Sequence, residues 1–425
     1  MRYRSVLGLL FIFLTLLLYS VACSDRNSIP PSRELETVQP NNMAAESSSQ
    51  LGTDSPGIVE ATEIPTEIPA ELATDQATLP EENEPLNLEA VSGDRRSDQM
   101  VKFLSDLTDE GNFMGSVLAA QNGEILLSEG FGQANMAAGT PNRPETQFRI
   151  GSLTKQFTAA AILKLQEQSL LNVQDPVAKY LPDYPRGDEI TIHQLLIHTA
   201  GIPNYERRRD LQEVVQSPIG LDELIATFSG QPLDFPPGEQ YSYSSSGYVV
   251  LTKIIEVVSG QPYETYLENQ ILIPANMTAS GYDFLSPDLP NPAVGYHLMP
   301  GGIRPAILTD SSWPTGAGAL YSTLGDLYRW DRALYRDDVL SAPSRQAFFT
   351  PWMDTGQGAD YGYGWDIGRT AGRPSIAHGG GIFGFASFMV RFPEDDAVII
   401  VLSNGIQMPP RIVAEDLAEI LFSSQ

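Results

Sequence analysis

The sequence predicts a mixed α/β fold of the α+β kind, in which strands from both ends of one region of the chain join in a single sheet around a mainly helical middle. Three observations predict it. Two short β patterns flank Asn122-Gly123, an alanine- and leucine-rich helical pattern occupies 157–171, and β patterns return at 375–377, 387–391 and 397–402.

The elements follow in chain order. Arg2 and Arg4 precede an uncharged apolar run from Val6 to Leu18, followed by the small residues Ser20 and Ala22, the layout of an export signal over 1–22. Ser20-Val21-Ala22-Cys23 resembles the lipobox of bacterial lipoproteins, which implies that Cys23 is the lipidation site; an uncleaved amino-terminal anchor is the alternative. Both place the remainder outside the cytoplasm, in the cell envelope, with the membrane as one partner. From Ser24 to Asp94 fifteen acidic side chains stand against two basic ones, no aromatic residue occurs, and Thr-Glu-Ile-Pro repeats in tandem at 62–69. Such a stretch buries too little apolar surface to fold and repels itself, so 23–94 reads as an extended acidic tether.

The folded region is expected over 95–425, where aromatic residues and periodic patterns lie. Val101, Leu104 and Leu107 recur at helical spacing over 98–107. Ser116–Gln121 and Glu124–Ser128 then alternate around Asn122-Gly123, the dipeptide favoured where both central residues of a two-residue hairpin turn need positive φ. Phe157, Ala160, Leu163 and Leu165 are spaced for a buried helix, Leu251, Ile254, Ile255 and Val258 for another, and Ile412–Phe422 for a closing amphipathic one.

Charge and composition exclude several functions. A net charge of −27 opposes binding to nucleic acid. One cysteine permits neither an internal disulfide nor a cysteine zinc cluster, and four histidines without acidic partners at ligand spacing predict neither a metal nor another cofactor.

Chemistry concentrates in three segments. Gly151-Ser152-Leu153-Thr154-Lys155 opens a helix, and a separation of three residues puts the Ser152 hydroxyl and the Lys155 amine on one face. Burial would disfavour the charged amine and make it a proton acceptor, while the helix start favours negative charge near Ser152. An isolated Ser-x-x-Lys is more often a helix cap followed by a surface lysine, so the pair gains its meaning from the other two segments. Tyr241-Ser242-Tyr243-Ser244-Ser245-Ser246-Gly247-Tyr248 is a polar loop ahead of a helix, and Ile376-Ala377-His378-Gly379-Gly380-Gly381 is the end of a strand followed by glycines that permit close backbone approach.

The three segments together resemble the serine β-lactamase and penicillin-binding-protein superfamily, in particular class C β-lactamases, D-alanyl-D-alanine carboxypeptidases and related esterases. Tyr243 matches the tyrosine of the family's Tyr-x-Asn element, with Ser245 in place of Asn. His378-Gly379-Gly380 matches its His-x-Gly variant of Lys-Thr-Gly. Leu195-Leu196-Ile197-His198-Thr199-Ala200-Gly201, Gly316–Ser322, Tyr361-Gly362-Tyr363-Gly364-Trp365 and Ser403-Asn404-Gly405 resemble further family stretches, in order, over nearly all of 98–425.

The resemblance implies a β-lactamase-like fold, an antiparallel sheet flanked by helices with its sheet part at 98–155 and 285–425, beside a mostly helical subdomain at 156–284, with the cleft between. It implies an acyl-enzyme hydrolase of an ester, an amide or a D-amino-acid peptide, its substrate a small molecule or a cell-wall-derived peptide. Ser152 would be the nucleophile, with Lys155 and Tyr243 moving the proton. Tyr243 would be eased toward ionisation by the lysine, and the N–H groups of Ser152 and Gly381 would form the oxyanion hole. His378, Gly380 and Ser245 would line the substrate, with His378 a weaker anchor for a carboxylate than lysine. His198 reads as a structural residue in an apolar helix ending at Gly201. The alternative is a non-catalytic envelope protein that keeps the fold to bind peptidoglycan or a partner.

Overall fold

A computed structural model describes Ala90 and residues 93–282, 284–405 and 408–423. The export signal, Cys23 and the acidic tether up to residue 89 lie outside the described residues. Helix α1 spans Arg95–Asp109 and starts where the Asp94 carboxylate accepts the N–H of Arg96, a capping arrangement that satisfies one of the helix's free donors. It is longer than the expected 98–107, and its buried side is Met100, Leu104 and Leu107.

Strands β1 (Gly115–Gln121) and β2 (Glu124–Phe131) form the expected hairpin. Asn122 and Gly123 both have positive φ, 53° and 78°, the backbone that the Asn-Gly pair predicts. The middle of the chain supplies α2 (Thr154–Glu167), α3 (Ile192–Leu196), α4 (Ser245–Ser259) and α5 (Leu324–Ala333). Helix α2 stops four residues short of the expected Leu171, where Ser169 takes a φ of 58° and turns the chain.

The carboxy-terminal part returns as β3 (Met353–Asp354), β4 (Asp360–Tyr361), β5 (Asp366–Thr370), β6 (Arg373–Ile382), β7 (Phe385–Phe392) and β8 (Ala397–Ser403), closed by α6 (Pro410–Leu421). The eight strands make one antiparallel sheet in the order β2-β1-β8-β7-β6-β5-β4-β3. Gly115 pairs with Ser403 and Gln121 with Ala397, so the first strand after α1 is joined to the last strand of the chain.

Strand β8 explains the layering. All seven of its residues are buried, and their alternation sends Val398, Ile400 and Leu402 into one apolar core and Ala397, Ile399 and Val401 into a second. The second core is covered by α1 and α6, through Met100, Leu104, Val413 and Leu417; the first holds the buried residues of α2, α4 and α5. Each fully buried leucine or isoleucine contributes roughly 1.5–3 kcal/mol of apolar transfer, so both sheet faces are sealed. Asp331 of α5, wholly buried, meets Arg391 of β7 at 2.5 Å, which pins that helix to the sheet, and also pairs with Arg332 of its own helix at 2.6 Å.

Strand β6 departs from the expectation that it ends before the glycines. It runs through Gly379, Gly380 and Gly381 to Ile382, paired with β7 throughout that stretch, Gly381 opposite Ala386. None of those three glycines has positive φ. They are extended because a neighbour must come close: a Cβ on Gly380 would strike the carbonyl oxygen of Ile150.

Candidate active site

The nucleophile segment is built by that close approach. Gly151–Leu153 forms a single 3-10 turn leading into α2, and Gly151 has a φ of +52°. A Cβ on Gly151 would lie 2.6 Å from the backbone nitrogen of Gly381, so glycine on both sides lets the turn sit directly against β6. Ser387 of β7 ties the pair together by donating its hydroxyl to the Ile150 carbonyl at 2.7 Å. Ser152 and Gly381 therefore line the same cavity, of about 570 Å³, together with Tyr241, Tyr243 and His378.

Lys155, one helical turn beyond Ser152, has no solvent exposure. Its Nζ lies 3.0 Å from Ser152 Oγ, 3.3 Å from Ser245 Oγ and 2.8 Å from the Ala317 carbonyl oxygen, to which it donates. Burial lowers its pKa from 10.5 to about 8, against a smaller opposing pull from the negative charge of Glu206. A neutral amine 3.0 Å from a serine hydroxyl can accept its proton.

Ser245 is placed differently from the expectation. It is the first residue of α4, 1 % exposed, and its hydroxyl lies 3.3 Å from Lys155 Nζ rather than lining the cavity.

Tyr243 also differs. The Lys155 ammonium lies 4.8 Å from its ring centroid, as the sequence suggested, yet burial holds the phenol well above its ordinary value, outweighing its hydrogen bond with Ser152. Desolvation wins because the ring is packed on His198, at 4.3 Å between centroids, and close to His378 and Tyr361. Tyr243 is thus a neutral phenol beside the nucleophile.

His378 lines the cavity as an uncharged ring. It is 4 % exposed, and burial lowers its pKa below 6.5. Both ring nitrogens are engaged inside the protein: Nε2 lies 2.9 Å from the Tyr361 hydroxyl and Nδ1 lies 2.6 Å from the Gly379 carbonyl oxygen. His198 completes the chain. It lies beyond the end of α3, not in a helix, and its φ of 58° swings the ring beneath Tyr243.

The donors run one way along this chain. The Ser244 N–H donates to His198 Nδ1 at 3.3 Å, which makes His198 Nε2 the protonated nitrogen; it donates to Tyr361 Oη at 3.2 Å. Tyr361 in turn donates to His378 Nε2, and His378 Nδ1–H to Gly379. Two neutral histidines and one tyrosine thereby join the tyrosine loop to the glycine strand with every ring nitrogen satisfied.

The sequence marks Tyr361 and Tyr241 only as members of longer stretches, and gives no signal for Arg207, Thr355, Gln357 or Asp366, which also line the cavity. They converge from separate segments, and no spacing announces them. Among the described residues no group of three or more acidic, histidine or cysteine side chains could hold a metal ion.

The Beta-lactamase family pattern matches residues 94–421. The Bacillus subtilis (strain 168) protein PbpX, named as a penicillin-binding protein, is 33% identical over 319 residues, which cover 74% of this chain and 77% of that one. Among solved structures, the octameric penicillin-binding protein homologue from Pyrococcus abyssi superposes with a TM-score of 0.69 and 30% identity over 77% of this chain and 78% of its own. The penicillin binding protein from Bacillus halodurans gives a TM-score of 0.67 and 28% identity, over 75% of this chain and 100% of its own.

Proposed function

The chain belongs to the Beta-lactamase family, and on that footing we propose that it is a serine hydrolase working through an acyl-enzyme on an ester, an amide or a D-amino-acid peptide. The observation that carries the proposal is the buried Lys155 amine, its pKa lowered to about 8, at 3.0 Å from the Ser152 hydroxyl.

In the first step Ser152 Oγ bonds to the carbonyl carbon while its proton passes to Lys155. The N–H groups of Ser152 and Gly381 hold the oxyanion, the contribution that lowers such barriers most. Tyr243, neutral, donates its proton to the departing nitrogen or oxygen and recovers one from Lys155 as the bond to the leaving group breaks. Water then attacks the acyl-enzyme carbonyl and gives its proton to the same lysine, and as the intermediate collapses Lys155 returns that proton to Ser152 Oγ, releasing the acid and free Ser152. Neutral His378, with both nitrogens engaged, leaves carboxylate binding without the cation that a lysine would bring, which favours esters and uncharged amides over substrates ending in a carboxylate.

The proposal includes export and attachment to the cell envelope through Cys23, on the strength of the apolar run and the lipobox-like Ser20–Cys23. The test of the chemistry is covalent labelling with a fluorescent fluorophosphonate. The full chain is expected to label and Ser152→Ala to lose the label; equal labelling of both would overturn the assignment.

A further inference from the structure

The cleft's charges are unevenly matched. Arg207 lines the cavity, but its guanidinium is already paired with Asp234 at 2.8 Å. Lys155 is buried beneath the nucleophile and engaged with Ser152, Ser245 and Ala317. His378 is neutral and turned inward. Asp366, the first residue of β5, lines the same cavity and is partly exposed. Among the described residues its carboxylate accepts no hydrogen bond and makes no ion pair.

Its field reaches the cleft. Asp366 raises the pKa of both Tyr241 and His378, each as a secondary influence beside burial. Its backbone position is fixed by the sheet: Asp366 pairs with Ala377, and Ala377 precedes Gly381 by four residues on β6. At roughly 3.4 Å per residue that is about 14 Å along the strand from the oxyanion position.

We propose that Asp366 is a specificity residue that receives a cationic group of the substrate, an ammonium carried on a flexible arm several bonds from the scissile carbonyl. The proposal rests on the hydrolase reading above and adds the chemical class of its substrate. A carboxylate standing without a protein cation, in a cavity that also holds the nucleophile, gains its partner when such a ligand binds. An anionic ligand meets an uncompensated like charge there, and Arg207 opposes this only by leaving Asp234. The arm must span about 10 to 15 Å, the separation set by the strand. An ammonium on the α-carbon next to the carbonyl is too close.

Binding to the full chain carrying Ser152→Ala tests this without any need for turnover. The probes are 8-aminooctanamide and its N-acetyl derivative, compared by calorimetry in the Ser152→Ala chain and in the same chain carrying Asp366→Asn as well. The cationic amide is expected to bind roughly two- to fivefold more tightly than the acetylated one, the range of a partly exposed ion pair. Asp366→Asn is expected to bring that ratio to about one. Because the ratio is taken within each protein, a general loss of affinity does not imitate the result. A ratio near one before the asparagine is introduced, a preference that survives it, or no binding of the amine at millimolar concentration would overturn the proposal. Fluorophosphonate labelling of Ser152 reports separately on the hydrolase reading, so the failure of one is distinguishable from the failure of the other.

Discussion

Replacing Gly151 by alanine should separate catalysis from folding. The added Cβ would stand 2.6 Å from the nitrogen and 2.9 Å from the carbonyl oxygen of Gly381, all of it backbone, whereas ordinary contact begins at 3.4 Å. The nucleophile turn and β6 must therefore separate by about 0.8 Å at the Gly381 nitrogen, one of the two N–H donors assigned to the oxyanion. A misplacement near 1 Å in a preorganised site costs on the order of 100-fold in rate. Holding alanine at a φ of +52° adds about 1–2 kcal/mol of backbone strain. The assay is kcat/KM for a short-chain nitrophenyl ester, with urea unfolding of the same protein. Gly123→Ala is the control: its φ is +78° but nothing lies within 4 Å of the new Cβ, so it should lose similar stability and keep its kcat/KM. A folded Gly151→Ala variant within twofold of the parent kcat/KM would refute the claim that this contact sets the oxyanion geometry.

Two other predictions follow from the same site. Lys155 acts as a base only when neutral, so kcat/KM should climb about tenfold per pH unit below 8 and level off above it; a profile flat from pH 6 to 9 would remove Lys155 as the acceptor. The linked stability has the matching sign. Between pH 8 and 10.5 the unfolded chain holds a proton that the folded chain has released, so this group's contribution makes stability rise with pH across that window. Tyr361→Phe leaves His198 Nε2 and His378 Nε2 without their shared partner, which should cost about 1–3 kcal/mol in urea unfolding. An unchanged unfolding midpoint and slope would show that the chain of donors is not as described.

The reach of the sequence differed from one part of the molecule to another. The β1–β2 hairpin was legible because Asn-Gly has few backbone options between alternating strands, and β8 because an apolar run buried on both faces leaves no other place for it. The end of β6 was not: a run of three glycines has no side-chain pattern, and what keeps it extended is the Ile150 carbonyl arriving from 230 residues earlier in the chain. Ser152 and Lys155 were a common pair until Tyr243 and His378 followed in order, and the structure places all four around one cleft or directly beneath it.

The protonation states escaped sequence reasoning for a physical reason. A lysine near Tyr243 argues for an easier ionisation, and only the depth of packing, on His198 and under Tyr361, shows that desolvation is larger. Asp366 escaped for another. Its significance is the absence of a partner, and that becomes visible only when every neighbouring cation has been assigned to someone else.

The central claim is that the Ser152 hydroxyl, activated by the buried amine of Lys155, is the group that attacks. Mass spectrometry of the peptides from fluorophosphonate-treated full chain tests it most directly. The account predicts a single phosphonyl adduct, on the peptide bearing Ser152 and on that residue, formed faster as pH rises toward 8. An adduct confined to another serine, or the absence of any adduct in a chain that still hydrolyses the nitrophenyl ester, would contradict it.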